Sequence, residues 1–206
     1  MAPQQIDPRP VTLTGRKVEL VPLSLEHLPR AEEIALGQDL FRWFPTEIRT
    51  AEDMDAYFAE ALQAQRDGSA VPFSTFERAS GQLVGGTRYM ASDRRNRRLE
   101  IGSTWSATPW QRSAVNTEAK LLMLEHAFEA LGCLRVEFKT DSLNLPSRTA
   151  LARIGAQQEG IFRNHMVTSS GRIRHSVWFS IIESEWPAVK ADLRAKLERG
   201  VAPRGG

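Results

Sequence analysis

Residues 99–128, LEIGSTWSATPWQRSAVNTEAKLLMLEHAF, are the most informative part of the chain, because the spacing of their apolar residues changes along them. Residues 99–105 form an apolar-rich run that is typical of a strand. From Thr117 onward the apolar residues recur at the three- and four-residue spacing of one buried helical stripe. They are Leu121, Leu124, Phe128 and Leu131. The stretch predicts a strand, a short loop over 108–116 and a long amphipathic helix.

The sequence on either side of this unit supplies further strands and helices. One strand-like run near Val18 precedes two helices, which are expected after the capping residues Ser24 and Thr50. Two more helices are expected from Ser147 and after Ser184. The other strand-like runs are 71–77, 83–90, 134–138, 161–168 and 173–182. This order of elements indicates an α/β fold of the α+β kind.

Length and composition indicate one domain. The chain has 206 residues, of which 41% are hydrophobic and 25% are charged, as in globular domains that bury a core. We assign the domain to residues 11–199. A flexible N-terminus is expected over 1–10 and a flexible tail over 200–206.

Charge and residue usage argue against several kinds of partner. The formal net charge is only +2, so nucleic acid is not an expected partner, and the arginines within 94–98 predict a solvated turn. No apolar run approaches the roughly 18 residues that a membrane span needs. The N-terminal residues lack the pattern of a signal peptide. The single cysteine, Cys133, excludes an internal disulfide and is expected to be a small buried hydrophobe. We therefore expect a cytoplasmic protein without a membrane partner.

The loop before the long helix has the physical features of an anion site. A strand–loop–helix join aims several backbone N–H groups at one point, where the helix dipole adds partial positive charge. Arg112 can supply a full counter-charge to a pyrophosphate. Most joins of this kind bind nothing. The loop also lacks a glycine between Gly102 and Gly132, so it is neither a P-loop nor a dinucleotide-binding fingerprint.

The same loop resembles the acyl-CoA motif of the GNAT superfamily of N-acetyltransferases, Gln/Arg-x-x-Gly-x-Gly/Ala at a helix start. The matching residues, which the resemblance assigns to cofactor binding, are Gln111, Arg112, Ser113, Ala114, Val115, Asn116 and Thr117. Ala114 and Asn116 stand where the family has glycines, which predicts weaker or re-aimed pyrophosphate contacts. Thr117-Glu118-Ala119 is typical of the Rim-type branch, which is similar to ribosomal-protein N-terminal acetyltransferases. The resemblance implies a mostly antiparallel mixed sheet with helices on both faces, and acetyl-CoA as the acyl donor.

Two further segments carry the resemblance. In the family, the strand before the loop splays from its neighbour and pairs with the pantetheine arm, which implies cofactor contacts at Trp105 and Ala107. Trp105 is equally suited to a plain core position. Downstream, 141–148 resembles the family's Asn-x-x-Ser element, which implies that Asn144 and Arg148 lie near the cofactor and that Ser147 protonates the leaving thiolate. The alternative is that Asn144 and Ser147 only form a turn and a helix cap.

Transfer of an acyl group to an amine needs a base, an oxyanion donor and a proton for the thiolate. We predict Glu100 as the base, directly or through water, and His165 as the second candidate. The alternative for Glu100 is a cross-strand ion pair with an arginine of 94–98. A backbone N–H near Thr104 or Trp105 is the expected oxyanion donor. A thioester needs no metal, and the four histidines show no metal-ligand spacing.

The acceptor is expected between the early helices and the late strand pair. Trp43 and Phe44 form a lid over it or fill the core, and Arg163 and His165 rim it together with Arg174. The acceptor itself is a small-molecule amine or a peptide amine such as a protein N-terminus. A catalytically weak module that senses acyl-CoA is the alternative function. A homodimer is expected from the family alone.

Overall fold

The computed structural model describes residues 5–199, which contain one open sheet of eight strands in the order β1-β2-β3-β4-β5-β6-β8-β7. In chain order the strands are β1 (Leu13–Thr14), β2 (Val18–Pro22), β3 (Val71–Glu77), β4 (Gln82–Asp93), β5 (Arg98–Ser106), β6 (Arg135–Asp141), β7 (Gln157–Val167) and β8 (Ile173–Ile182). Neighbouring strands are antiparallel except β5 and β6, which are parallel. The predicted mixed, mostly antiparallel sheet is confirmed.

Five α-helices pack on this sheet, and two apolar clusters separate them into two groups. The helices are α1 (Leu28–Ala35), α2 (Ala51–Arg66), α3 (Ala114–Glu125), α4 (Leu145–Arg153) and α5 (Trp186–Arg199). Residues of α1 and α2 pack with Leu83 and Trp105 in one cluster. Residues of α3, α4 and α5 pack with buried strand residues such as Val136 and Phe138 in the other. Thr50 caps α2 as predicted, because its hydroxyl accepts the N–H of Asp53.

Two helices begin earlier than the apolar spacing predicts, because a polar side chain caps each of them. The helix α3 begins at Ala114, three residues before Thr117, and Ser113 Oγ accepts the N–H of Val115. The helix α4 begins at Leu145 rather than Ser147, and its cap is the side chain of Asn144. Caps of this kind satisfy N–H groups that have no acceptor inside the helix.

Part of the N-terminal segment packs against the domain. Ile6 is buried in the larger cluster, and its N–H donates to the carbonyl of Arg94 at 3.2 Å. Residues 1–4 and 200–206 of the predicted flexible termini lie outside the described residues.

Glu118 ties α3 to the turn between β1 and β2. Its carboxylate is buried and accepts the N–H groups of Arg16, Lys17 and Val18 at 3.1, 2.6 and 2.8 Å. A Cβ added to Gly15 in this turn would lie 2.7 Å from the Glu118 carboxyl, so a larger residue would displace the carboxyl that the turn binds. The glutamate of the Thr-Glu-Ala triplet therefore holds the helix of the predicted cofactor loop in place.

Candidate active site

The parallel strands β5 and β6 diverge, and the divergence opens a cleft. They pair only through Arg98–Arg135, Leu99–Val136 and Glu100–Glu137, although β5 continues to Ser106 and β6 to Asp141. Beyond Glu100, the edge of β5 that faces β6 is therefore free of a strand partner. A free strand edge can pair with an extended ligand as an added strand would. The splay that the resemblance implies is present.

A β-bulge lies on β5 within this free stretch. Gly86 of β4 pairs with Trp105, but Arg88 pairs with Gly102, so β5 carries one residue more than β4 between these pairs. Ser103 takes up the extra length with a φ of +46°, which is the left-handed region that residues other than glycine seldom occupy. Bulges re-aim backbone groups and are frequent beside active sites.

The side chains of Trp105 and Ala107 are both buried. The indole of Trp105 is buried, packs over Gly86 and lies 5.7 Å from the ring of Phe41, so the core alternative holds for this side chain. Ala107 is buried, and its N–H already donates to the carbonyl of Val84 at 2.9 Å. Only the remaining backbone groups of these two residues are left for a ligand.

The loop after β5 presents the first turn of α3. Arg112 is exposed and has a φ of +57°, and the side chain of Gln111 donates to the carbonyl of Ser106 at 3.0 Å. Because α3 begins at Ala114, Asn116 lies in its first turn and not at the helix start, which corrects the predicted loop boundary. The N–H of Val115 is taken by the Ser113 cap, whereas the neighbouring N–H groups of this turn have no intrahelical acceptors and point out of the helix end. An anion can bind there.

The second motif lies at the N-terminus of α4. Asn144 Oδ1 accepts the N–H of Ser147 at 3.1 Å, and Arg148 donates to the carbonyl of Ser142 at 3.1 Å. The turn-and-cap alternative is therefore confirmed for Asn144 Oδ1, while the Ser147 side chain is half-buried at the same turn. At the other end of α4, Arg153 lies 3.4 Å from the hydroxyl of Thr117 in the first turn of α3.

Glu100 lies where the cleft opens. A Cβ added to Gly102 would lie 3.0 Å from Glu100 Oε1, so the carboxyl lies over the residue just before the bulge. Lys139 Nζ of β6 is 2.7 Å from Glu100 Oε2. The predicted alternative, an ion pair with an arginine of 94–98, is wrong in its partner, because Arg98 pairs with Glu137 instead. Burial raises the pKa of Glu100, and Lys139 opposes part of that rise.

An aromatic cluster adjoins this ion pair. Lys139 Nζ lies 5.0 Å from the ring centroid of Trp178, which stacks on Phe162 at 4.0 Å and meets the ring of His165 edge-on at 4.8 Å. The Nδ1 of His165 is 3.0 Å from the hydroxyl of Ser176. Burial, followed by the charges of Lys139 and Arg174, lowers the pKa of His165, so its neutral form is favoured. The two predicted bases, Glu100 and His165, therefore belong to one cluster of contacts that includes Lys139 and Trp178.

The other predicted acceptor residues, Trp43, Phe44 and Arg163, lie in three different surroundings. Trp43 borders a cavity of about 440 Å³, and its carbonyl accepts a hydrogen bond from Arg174 at 3.1 Å. Phe44 is instead partly buried and packs edge-on against the buried Phe41 at 5.1 Å, as the core alternative expects. Arg163 is exposed on β7.

The sequence prediction missed Lys139 and Trp178. Both lie on strands that were expected, and Trp178 falls inside the predicted run 173–182. Their proximity to Glu100 depends on the parallel register of β5 and β6 and on the antiparallel pair Lys139–Trp178. A single sequence carries no signal for such long-range registers.

Cys133 is a structural residue. It is fully buried, and burial raises the pKa of its thiol to about 12, so the thiolate is scarce at neutral pH. The prediction of a small buried hydrophobe is confirmed. Within residues 5–199, no three side chains of His, Cys, Asp or Glu come together as a metal site. In the same range, no helix has the length and apolar character to cross a membrane.

The family model of the acetyltransferase (GNAT) domain matches residues 17–157. A GCN5-related N-acetyltransferase from Brucella melitensis has 32% identity and a TM-score of 0.87, with 94% of this chain and 88% of that chain covered. Mycobacterium smegmatis RimJ in complex with CoA-disulfide has 22% identity and a TM-score of 0.74 over 95% of each chain, and shares the fold. YdaF of Bacillus subtilis (strain 168), provisionally named a ribosomal N-acetyltransferase, is 31% identical over 110 residues, 53% of this chain and 59% of that protein. The chain belongs to the GNAT acetyltransferase family and resembles its Rim-type branch.

Proposed function

We propose that this protein transfers an acetyl group from acetyl-CoA to a primary amine, by direct attack in a ternary complex. One observation carries the proposal. The cleft between β5 and β6 opens at a buried carboxylate, Glu100, and the free strand that lines it leads through one loop to the first turn of α3. A strand edge, an anion site and a candidate base thus follow one another along the chain.

The residues present fit acetyl-CoA as the donor. The edge of β5 over 101–106 can pair with the extended pantetheine arm, and the first turn of α3 can bind the diphosphate. Arg112, which is exposed beside that turn, supplies a counter-charge. RimJ, which shares the fold, is seen with CoA-disulfide. The donor already carries an activated thioester, so the protein only has to orient it and move protons.

Glu100 is the proposed base. The amine nitrogen attacks the thioester carbonyl carbon, its proton passes to Glu100 directly or through water, and the C–S bond then breaks. A raised pKa makes this carboxylate a better proton acceptor than an exposed one. A backbone N–H of Thr104 or Trp105 stabilises the oxyanion, and Ser147 or water protonates the thiolate. His165 is the alternative base.

The acceptor is proposed to approach from the side of Trp43, Arg163 and His165. Trp43 lines a cavity that Arg163 and His165 do not border, and Arg174 donates a hydrogen bond to its carbonyl. Cationic side chains on this side suit an acceptor that also carries a carboxylate, as an acidic peptide or an amino acid does. A peptide N-terminus and a small-molecule amine are both candidates. A cytoplasmic location is proposed from the sequence, and a homodimer from the family alone.

A catalytically weak acyl-CoA sensor is the second candidate. It is favoured by Ala114 and Asn116, which stand at the glycine positions of the motif, and by the Ala107 N–H, which already has an acceptor.

A thermal-shift titration with CoA, combined with a thiol-release assay on a broad panel of peptide and small amines, separates the two functions. An acetyltransferase is stabilised by CoA and releases thiol with at least one amine. Stabilisation without turnover on any amine indicates the sensor, and neither effect contradicts both.

The pH dependence of the rate is expected to respond to Lys139. The base must be unprotonated, so kcat/KM falls as the pH drops through the pKa of Glu100, which burial already places above its usual value. In Lys139→Met the ammonium that opposes this rise is gone, and the acidic limb moves to higher pH. Lys196→Met, which removes an ammonium paired with Asp192 on α5, is the matched control and should leave the limb in place. An acidic limb that does not move in Lys139→Met would argue against Glu100 as the base.

A further inference from the structure

A buried lysine that the proposed reaction does not use lies behind the bulge of β5. Lys120 of α3 is buried, and its Nζ is 2.8 Å from Thr104 Oγ1 and 3.4 Å from Thr87 Oγ1. No carboxylate of residues 5–199 forms an ion pair with it. Burial lowers the pKa of Lys120 to about 7. An ammonium in such a place is costly, and an apolar side chain of the same length would pack without that cost.

The two threonines lie on either side of the bulge. Thr87 is the β4 residue between the pairs Gly86–Trp105 and Arg88–Gly102, and so faces the extra residue of β5. Its hydroxyl is 2.8 Å from Thr104 Oγ1 and 3.4 Å from the carbonyl of Gly102. The hydrogen bonds among Lys120, Thr87 and Thr104 therefore lie next to Ser103, the left-handed residue of the bulge. A left-handed residue other than glycine persists only where its surroundings hold it.

We propose that Lys120 is a positioning residue of the acetyl transfer, which holds the β5 bulge through Thr104 and Thr87 so that a backbone N–H points at the acyl carbonyl. The proposal rests on the proposed function. Lys120 itself projects from the helix behind the sheet and touches neither donor nor acceptor. Its effect passes through the two hydroxyl groups to the backbone of Ser103 and Thr104.

The inference predicts which kinetic constant changes. The bulge positions the backbone N–H for the oxyanion that forms during the reaction, whereas the proposed CoA diphosphate site is the first turn of α3, which ends before Lys120. Lys120→Met keeps the length and volume of the side chain but removes the hydrogen bonds. It is expected to lower kcat by roughly 10- to 100-fold, below the loss found on deleting an oxyanion donor itself. The Kd for CoA should change by less than about threefold.

A lysine that only stabilised the fold would lower the Tm when it is replaced. Lys120 has no carboxylate partner in the part of the chain that the structure describes, and replacing such a buried amine by methionine leaves the stability unchanged or raises it. A lower kcat together with an unchanged or higher Tm is therefore the signature of positioning. A second pair of variants does not remove the lysine: Thr87→Val should lower kcat to a similar degree, and Thr87→Ser, which restores the hydroxyl, should recover most of the rate. In the double variant with Lys120→Met, the Thr87→Val losses should not add, because both act on one bulge.

The experiment measures kcat, KM, CoA affinity by calorimetry and Tm for the wild type and these variants side by side. If the wild type turns over and Lys120→Met matches its kcat, the positioning role is wrong while the proposed function stands. If the wild type binds CoA but acetylates no amine, the proposed function fails, and the role of Lys120 fails with it. If Lys120→Met does not fold, the Thr87→Val and Thr87→Ser pair decides, and equal rates in that pair overturn the inference.

Discussion

Glu100→Gln is expected to lower kcat by roughly 10²- to 10⁴-fold, the usual contribution of a positioned general base. Glutamine has the same shape but cannot accept the proton of the amine. Because the carboxyl lies over Gly102 and not in the loop that precedes α3, the affinity for CoA is expected to stay the same. Rates measured above neutral pH, with CoA affinity from calorimetry, test both statements.

Glu137→Gln is the matched control for this variant. Glu137 pairs with Glu100 across β5 and β6, and its side chain is also shielded, but it is bound by Arg98 at 3.0 Å and Arg135 at 2.9 Å. Its replacement should change the rate only slightly. A wild-type rate in Glu100→Gln at every pH would exclude this residue as the base. A large loss in His165→Ala instead would assign the role to the histidine.

Glu118→Ala is expected to destabilise the fold by about 3 kcal/mol or more, since three backbone N–H groups lose a charged acceptor. That is a large part of the about 5–15 kcal/mol that holds a typical domain together. Glu118→Gln keeps one oxygen acceptor but not the charge, so about half of that loss is expected. Urea unfolding measures both values.

The midpoint of unfolding should fall in both variants while the slope stays constant, because the folded state buries the same surface. A change in Glu118→Ala within about 0.5 kcal/mol of the wild type, as for an ordinary surface substitution, would contradict the anchoring role. Gly15→Ala provides an independent check, since its Cβ would meet the same carboxyl at 2.7 Å. It is expected to destabilise through the same contact.

The sequence predicted the elements better than their ends. Strand and helix periods placed all the long strands and helices, because apolar spacing reports directly which face is buried. The start of α3 was misplaced because Ser113 caps the helix with a polar side chain, where the apolar stripe has not begun. The extent of its burial was also underestimated. Lys120 lies outside the predicted apolar stripe and is buried nonetheless, because its amine reaches Thr87 and Thr104 of the sheet.

The candidate site was harder to predict than the fold. Glu100 was found because it lies on the strand that feeds the cofactor loop, within the same local stretch of sequence. Its partner Lys139 was not found, because it comes from β6 through a parallel register. A sequence does not distinguish an aromatic residue that contacts a ligand from one that packs in the core. Only the packing places Trp105 and Phe44 with the smaller apolar cluster.

The first turn of α3 is proposed to bind the diphosphate of CoA, and calorimetric titration of CoA into the wild type and Asn116→Asp tests this binding. Aspartate in a first helical turn favours the helix, so the variant should fold, yet it places negative charge beside the phosphates. The wild type should bind CoA, and Asn116→Asp should bind it about tenfold or more weakly, which is a loss of about 1.4 kcal/mol. Gln82→Glu, which adds the same charge at the exposed start of β4, should bind as the wild type does. Equal affinity of Asn116→Asp and the wild type would contradict the account.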